Sequence, residues 1–173
     1  MKPLIGTELK RFLRDYKRQN RPNRDLSILL QSVEYPANVG SIFRLADGAD
    51  VSELLLTGIT PAPPHPTIDK IGRYKSERVR WRYIESALNG IEQVKNQGYE
   101  VIALELTDSA VPYFQYDYKQ RVCLVAGNED HGVTKSTLAV CDGSVFIPMY
   151  GSGRSHNVHA ALAIVLYHIL HVH

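Results

Sequence analysis

Val145-Phe-Ile-Pro-Met-Tyr-Gly-Ser-Gly-Arg-Ser-His-Asn-Val-His-Ala-Ala-Leu-Ala-Ile-Val-Leu-Tyr-His-Ile-Leu170 is the stretch whose reading decides the fold of this chain. A short apolar strand, Val145 to Ile147, stops at Pro148 and runs into a loop carrying Gly151 and Gly153. An apolar helix follows. Its expected N-cap is Ser155 or Asn157, since either side chain can accept a hydrogen bond from a first-turn N–H. Strand, glycine turn and helix N-terminus in that order offer backbone N–H groups and side-chain oxygens around a concave site suited to a small polar ligand. A buried C-terminal helix with a well-made cap accounts for the same residues equally well.

Upstream, the chain repeats this alternation. Leu26 to Val33 is a continuous apolar run of strand length, and Asn38 to Ala49 reads as a helix after the Glu34-Tyr35-Pro36 turn. Glu53 to Thr57 is a second strand. Thr60 to Thr67 holds four prolines (61, 63, 64 and 66), which exclude a helix or a central strand and imply an extended surface loop. Val79 to Tyr83, Glu100 to Leu106 and Val122 to Ala126 read as strands, Ser86 to Gln97 and Thr134 to Val140 as helices. Strands separated by helices imply an α/β fold with a mostly parallel sheet covered by helices on both faces, its ligands bound at the carboxyl ends of the strands.

Composition narrows the function classes. A length of 173 residues suits one domain with its own core. Cys123 and Cys141 sit in apolar, strand-like contexts, so buried thiols in a reducing compartment are expected rather than a disulfide framework. No apolar run reaches membrane-spanning length and no signal peptide opens the chain, so a soluble cytoplasmic protein is the expectation.

The net charge is only +2, but the cations are clustered. Residues 1–24 form a basic arm with Lys2, Lys10, Arg11, Arg14, Lys17, Arg18, Arg21 and Arg24 against Glu8 and Asp15. Within it, Gly6 to Asn20 can form a helix with Leu9, Phe12, Leu13 and Tyr16 on one side. A second cluster, Lys70, Arg73, Lys75, Arg78, Arg80 and Arg82, is interleaved with Tyr74, Trp81 and Tyr83. Cations pair with phosphates, and aromatic planes stack on unpaired bases. Either cluster alone is as well explained by a solvated basic face; together they favour RNA over DNA. Lys10, Arg11, Arg14, Lys17, Arg18, Arg73, Lys75 and Arg78 are the expected RNA contacts.

Three motifs fall at strand ends: Pro36-Ala-Asn-Val-Gly-Ser-Ile-Phe-Arg44, Gly127-Asn-Glu-Asp-His-Gly132, and Ile147-Pro-Met leading to Ser155-His-Asn157-Val. In this order and spacing they resemble the SpoU/TrmH family of SPOUT RNA 2′-O-methyltransferases, over about Leu26 to Leu170. The resemblance implies a methyltransferase domain over residues 25–173, a C-terminal trefoil knot, a homodimer, and S-adenosylmethionine as cofactor. It assigns catalysis to Asn38, Arg44, Glu129, Ser155 and Asn157, with Arg44 facing the cofactor of the partner subunit. Backbone groups around Leu104, Gly127, Ile147 and Met149, with Ser155 and Asn157, would hold the cofactor, the missing side chain of Gly127 letting it approach the backbone. The substrate implied is tRNA or rRNA. An RNA-binding protein that keeps the fold without the activity, and a base-nitrogen methyltransferase, are the alternatives.

His156 stands where the family carries Leu or Met, His159 near a position usually small, and Asp130 and His131 also depart from the pattern. These histidines could tune proton transfer or touch substrate. With His168, His171 and His173 they suggest a metal site only weakly, since no ligand set forms a recognisable spacing, and no metal is expected. For Arg44, a surface ion pair with Asp47 or Asp50 competes with the catalytic role.

Overall fold

Period-two alternation inside the apolar runs sorts the strand side chains between two faces, and both faces are covered. The computed structural model describes residues 1–172. Its strands are β1 (Asp25–Gln31), β2 (Glu53–Thr57), β3 (Trp81–Ile84), β4 (Glu100–Leu104), β5 (Val111–Pro112), β6 (Arg121–Ala126) and β7 (Gly143–Phe146). They form one sheet in the order β3-β2-β1-β6-β4-β7-β5, with every pairing parallel. At its centre Ile28 lies in register with Leu54 on one side and Leu124 on the other.

One face is covered by α2 (Pro36–Gly48) and α6 (Val158–His171). Val39, Ile42, Phe43 and Ala46 of α2 and Leu162, Val165, Leu166 and Ile169 of α6 pack on Leu26, Ile28, Leu30, Leu56 and Leu124. On the other face, Ile91 and Val94 of α4 (Ala87–Asn96) and Leu138 of α5 (Lys135–Leu138) cover Leu29, Leu55, Val101 and Val125. Cys123 is fully buried and Cys141 half-buried, and neither is in a disulfide. No helix among the described residues is long and apolar enough to cross a membrane.

Two elements differ from the sequence expectation. The proline-rich stretch does not stay a loop to Thr67: Pro66 begins helix α3 (Pro66–Gly72), with His65 as N-cap accepting from the Thr67 N–H. Proline belongs at a first helical position, where its missing N–H would have no intrahelical partner. The edge strand β5 was not expected, because two residues carry no readable period.

The amino ends of the strands are tied by a polar hub. Asp25 accepts from the Ser52 hydroxyl, from Tyr99 Oη at 2.7 Å and from Arg121 Nε at 3.0 Å. Burial opposes its ionisation, but these three donors outweigh it and hold the carboxyl below its ordinary value. Nearby, Arg24 donates to the carbonyls of Tyr118, Lys119 and Val172, so the arm is anchored to the body at its last residue. The arm's helix, α1 (Gly6–Gln19), buries no residue: Phe12, Leu13 and Tyr16 are each more than half exposed.

Phe43 is fully buried and meets Trp81 edge-to-face at 6.2 Å between ring centroids. Phe43→Ala should lower unfolding stability by about 3–5 kcal/mol, the usual cost of emptying an aromatic site in a core, read as a shift in the urea midpoint.

Candidate active site

Carboxyl ends of β1, β4, β6 and β7 open onto one cleft of about 1380 Å³, roomier than the roughly 300–1,000 Å³ of an ordinary small-ligand site. Leu104, Gly127, Ile147, Met149, Ser155 and Asn157, the residues expected to hold the cofactor, all line it. So do Asn38 and Glu129. Apolar walls come from Leu104, Leu106, Leu138, Phe146 and Ile147, and acidic groups from Glu105, Glu129 and Asp130.

A hydrogen-bonded chain crosses the cleft from one loop to the next. Glu129 accepts from the backbone N–H groups of Glu34 at 2.9 Å and Tyr35 at 3.2 Å, and from Asn38 Nδ2 at 2.7 Å. Asn38 Oδ1 accepts from Asn157 Nδ2 at 2.9 Å. Asn157 is the N-cap of α6, its Oδ1 accepting from the His159 N–H at 3.0 Å, which decides between the two expected caps. Residues 119 positions apart in sequence therefore share one bond. Burial pushes the Glu129 carboxyl up, but the Glu34 N–H, the Asn38 amide and further backbone donors outweigh it, so its pKa lies below the ordinary value.

Gly127 has a different reason to be glycine from the one expected. A Cβ there would lie 2.1 Å from the carbonyl carbon of Gly132, so the missing side chain makes room for the protein's own loop rather than for a ligand. That loop closes through the Asn128–Gly132 bridge, with the Asn128 N–H donating to the Gly132 carbonyl at 3.1 Å.

Sequence reading missed the residues that brace this loop. Asn128 Oδ1 accepts from the N–H groups of Asp130 and His131, and Asn128 Nδ2 donates to the Ser32 carbonyl at 2.8 Å. Glu105 accepts from the Val133 N–H at 2.9 Å. Its carboxylate also occupies the space a Gly132 side chain would need, 2.2 Å from the Cβ position, and Gly132 has φ +64°. Gln31 and Thr134 exchange hydrogen bonds beneath. An asparagine that folds its own loop is a local turn signal that could have marked Asn128; nothing near Glu105 announces a partner 28 residues away.

Arg44 and Ser155 stand apart from the hydrogen-bonded chain. Ser155 lines the cleft, exposed, with no side-chain hydrogen bond among the described residues. Arg44 is exposed on α2 and is not among the cleft residues. Both acidic partners proposed for it are engaged elsewhere: Asp47 pairs with Lys75 at 2.6 Å and Asp50 with Lys17 at 3.1 Å. No ion pair involves Arg44 among the described residues.

The cationic surfaces are partly spent on the fold. Lys10, Arg11 and Arg18 are exposed and in no ion pair among the described residues, whereas Arg14 meets Asp15 and Lys17 meets Asp50. In the second cluster Arg73 and Arg78 are exposed, on either side of the 3₁₀ turn Lys75–Glu77. Arg80 and Arg82 converge on Glu53, and Trp81 is half-buried against Phe43 with its Nε1 on the Ser76 carbonyl. Trp81 is therefore a packing residue rather than a stacking platform, while Tyr74 remains exposed. Among the described residues no group of three His, Cys, Asp or Glu lies close enough to hold a metal ion; His173 lies outside them.

The sequence model of the SpoU rRNA Methylase family matches residues 25–167. The chain belongs to the SpoU rRNA Methylase family. It is 30% identical over 157 residues to the tRNA (guanosine(18)-2′-O)-methyltransferase of Escherichia coli (strain K12), a match covering 91% of this chain and 68% of that protein. The crystal structure of the A. aeolicus TrmH/SpoU tRNA modifying enzyme superposes with a TM-score of 0.77 at 26% identity, covering 94% of this chain and 82% of that one. The SpoU methyltransferase AviRb from Streptomyces viridochromogenes, in complex with its cofactor AdoMet, shares the fold at a TM-score of 0.77 and 22% identity. That match covers 87% of this chain and only 60% of AviRb. The SpoU match starts at the first residue of β1, beyond the basic arm.

A carboxyl with a lowered pKa contributes stability that is complete above its unfolded value, near 4.5, and is lost as pH falls through the folded value. Glu129→Gln should therefore be less stable than the native protein at neutral pH. The gap between their urea midpoints should narrow steadily on acidification below 4.5.

Proposed function

We propose that this chain is an S-adenosylmethionine-dependent RNA methyltransferase that modifies a ribose 2′-hydroxyl. The observation that carries this reading is the Glu129–Asn38–Asn157 chain lying across a cleft at the carboxyl ends of a parallel sheet, in a member of the SpoU family. A nucleoside bearing a positive sulfur suits the residues present: apolar side chains for a purine, strand-end backbone groups for polar edges, and three carboxylates for positive charge. Leu104, Gly127, Ile147 and Met149 would hold that cofactor, with Ser155 and Asn157 beside it. When bound, it supplies an electrophilic methyl group for attack by the ribose oxygen.

The protein's own residues then have three tasks. Asn38, fixed at both ends by Glu129 and Asn157, presents an oriented amide to the ribose. Glu129 stays ionised and holds the loop after β1 in place through the Glu34 and Tyr35 N–H groups. Arg44 grips a phosphate through its two-pronged guanidinium and assists loss of the hydroxyl proton. For Arg44 to reach a cleft it does not line, the enzyme works as a homodimer in which Arg44 of one protomer faces the cleft of the other. Its exposure, its lack of an ion pair among the described residues, and the exposed Ile164 and Tyr167 on α6 support this arrangement.

The same reading includes a trefoil knot in the C-terminal segment, a methyltransferase domain over residues 25–173, and residues 1–24 as an RNA-binding arm. It places the protein in the cytoplasm. The RNA is tRNA or rRNA, with tRNA favoured because the 30%-identical relative from Escherichia coli bears a tRNA enzyme's name.

Incubation with radiolabelled S-adenosylmethionine and total RNA, followed by digestion to nucleosides, should yield a 2′-O-methylated nucleoside. Label on a base would move the assignment to a base nitrogen, and cofactor binding without label on any RNA would favour the silent RNA-binding protein. Arg44→Ala should abolish methylation while S-adenosylmethionine affinity stays unchanged by calorimetry. Mixed dimers of Arg44→Ala and Asn38→Ala protomers should regain activity at one of their two sites, which a monomeric site would not allow. Because Arg24 is anchored to the body, the arm is best removed as residues 1–20. That truncation should weaken RNA affinity and flatten its dependence on salt, since fewer phosphate contacts release fewer counterions.

A further inference from the structure

The hydrogen-bonded chain does not end at Asn157. His159 Nδ1 lies 2.7 Å from Asn157 Oδ1, beside the His159 backbone N–H that donates to the same oxygen at 3.0 Å. Side-chain amides and imidazoles can be turned either way in principle, so the direction of each bond has to be fixed by a group whose role is invariant. Here both ends of the chain supply one. At the far end, Glu129 receives the N–H groups of Glu34 and Tyr35 and acts as an acceptor, so Asn38 turns its Nδ2 toward it and its Oδ1 away. Asn157 must then donate through Nδ2 to Asn38 Oδ1. At the near end, the backbone N–H of His159 can only donate, so the atom of Asn157 facing it is Oδ1. The two ends impose the same orientation on Asn157 independently. A carbonyl oxygen only accepts, and the ring nitrogen facing it must carry the hydrogen.

We propose that His159 is a positioning residue: its Nδ1–H starts a one-directional run of donors through Asn157 and Asn38 to the Glu129 carboxylate and holds the Asn38 amide in its working orientation. The role in turnover rests on the methyltransferase reading above; the tautomer does not. In the neutral form of this half-buried ring the hydrogen on Nδ1 leaves Nε2 bare, and Nε2 has no partner among the described residues. His159 touches no reacting atom and acts only through Asn157.

Nitrogen NMR of protein carrying isotopically labelled histidine, without cofactor or RNA and at a pH where the ring is neutral, reads the tautomer directly. The signal missing from His159→Asn identifies the residue. It should show a protonated Nδ1 and an unprotonated Nε2, the minority form of a free imidazole; the opposite tautomer overturns the proposal. In turnover, His159→Ser should lower kcat about fivefold, the worth of one neutral hydrogen bond, with KM for RNA and S-adenosylmethionine affinity unchanged. His159→Asn, whose Nδ2 can replace the Nδ1–H, should recover most of that loss. A kcat unchanged in the serine variant, or an asparagine variant no better than serine, overturns it. A native protein that methylates no RNA would count against the functional reading instead, leaving the tautomer measurement to decide the geometry.

Discussion

A carboxylate that is partly withdrawn from water must be given donors, and at Glu129 those donors belong to a different part of the chain. The loop after β6 carries the charge; the turn after β1 and the first turn of α2 carry the N–H groups that satisfy it. Because Asn38 spends its other end on the cap of α6, the same requirement reaches the C-terminal helix. Three segments distant in sequence are held at fixed separation by one unmet need. The cleft between them is the space this arrangement leaves.

Other contacts keep that network from collapsing inward. Asn128 folds its own loop and ties it to the Ser32 carbonyl, and Glu105 closes the loop's far side from the end of β4. Gln31 and Thr134 join the end of β1 to the start of α5 beneath it. The ends of β1, β4 and β6 thus each contribute one polar side chain that stabilises a neighbouring loop, which is how a site made of loops acquires the rigidity of the sheet. The basic surfaces share this economy. Lys75, Arg80 and Arg82 are engaged by Asp47 and Glu53, leaving Lys10, Arg11, Arg18, Arg73 and Arg78 unpaired among the described residues.

The strands and most helices were legible because burial on both faces imposes long apolar runs, as in Leu26 to Val33, and because caps such as Thr134 and Asn157 are short-range signals. Pro66 was misread since proline both ends and begins helices, and only its distance from the following turn separates the two uses. The motifs delivered Asn38, Glu129 and Asn157 to one network. Glu105 stayed hidden because its function is defined by where Gly132 comes to rest, a fact of tertiary packing. Arg80, Trp81 and Arg82 looked like an RNA surface for the converse reason: a side chain's partner cannot be read from composition when Glu53 and Phe43 lie elsewhere in the sequence.

An all-parallel sheet also separates its two ends. At one, Asp25 gathers Ser52, Tyr99 and Arg121, and Arg24 fastens the end of the arm to the body and to the Val172 carbonyl; at the other lie the cleft and its loops. Failure at the first end threatens folding, while change at the second alters chemistry. The loops around Asp130, His131 and His156 share no hydrogen bond with that hub among the described residues, so substitutions there can reshape the cleft without loosening the sheet's other end.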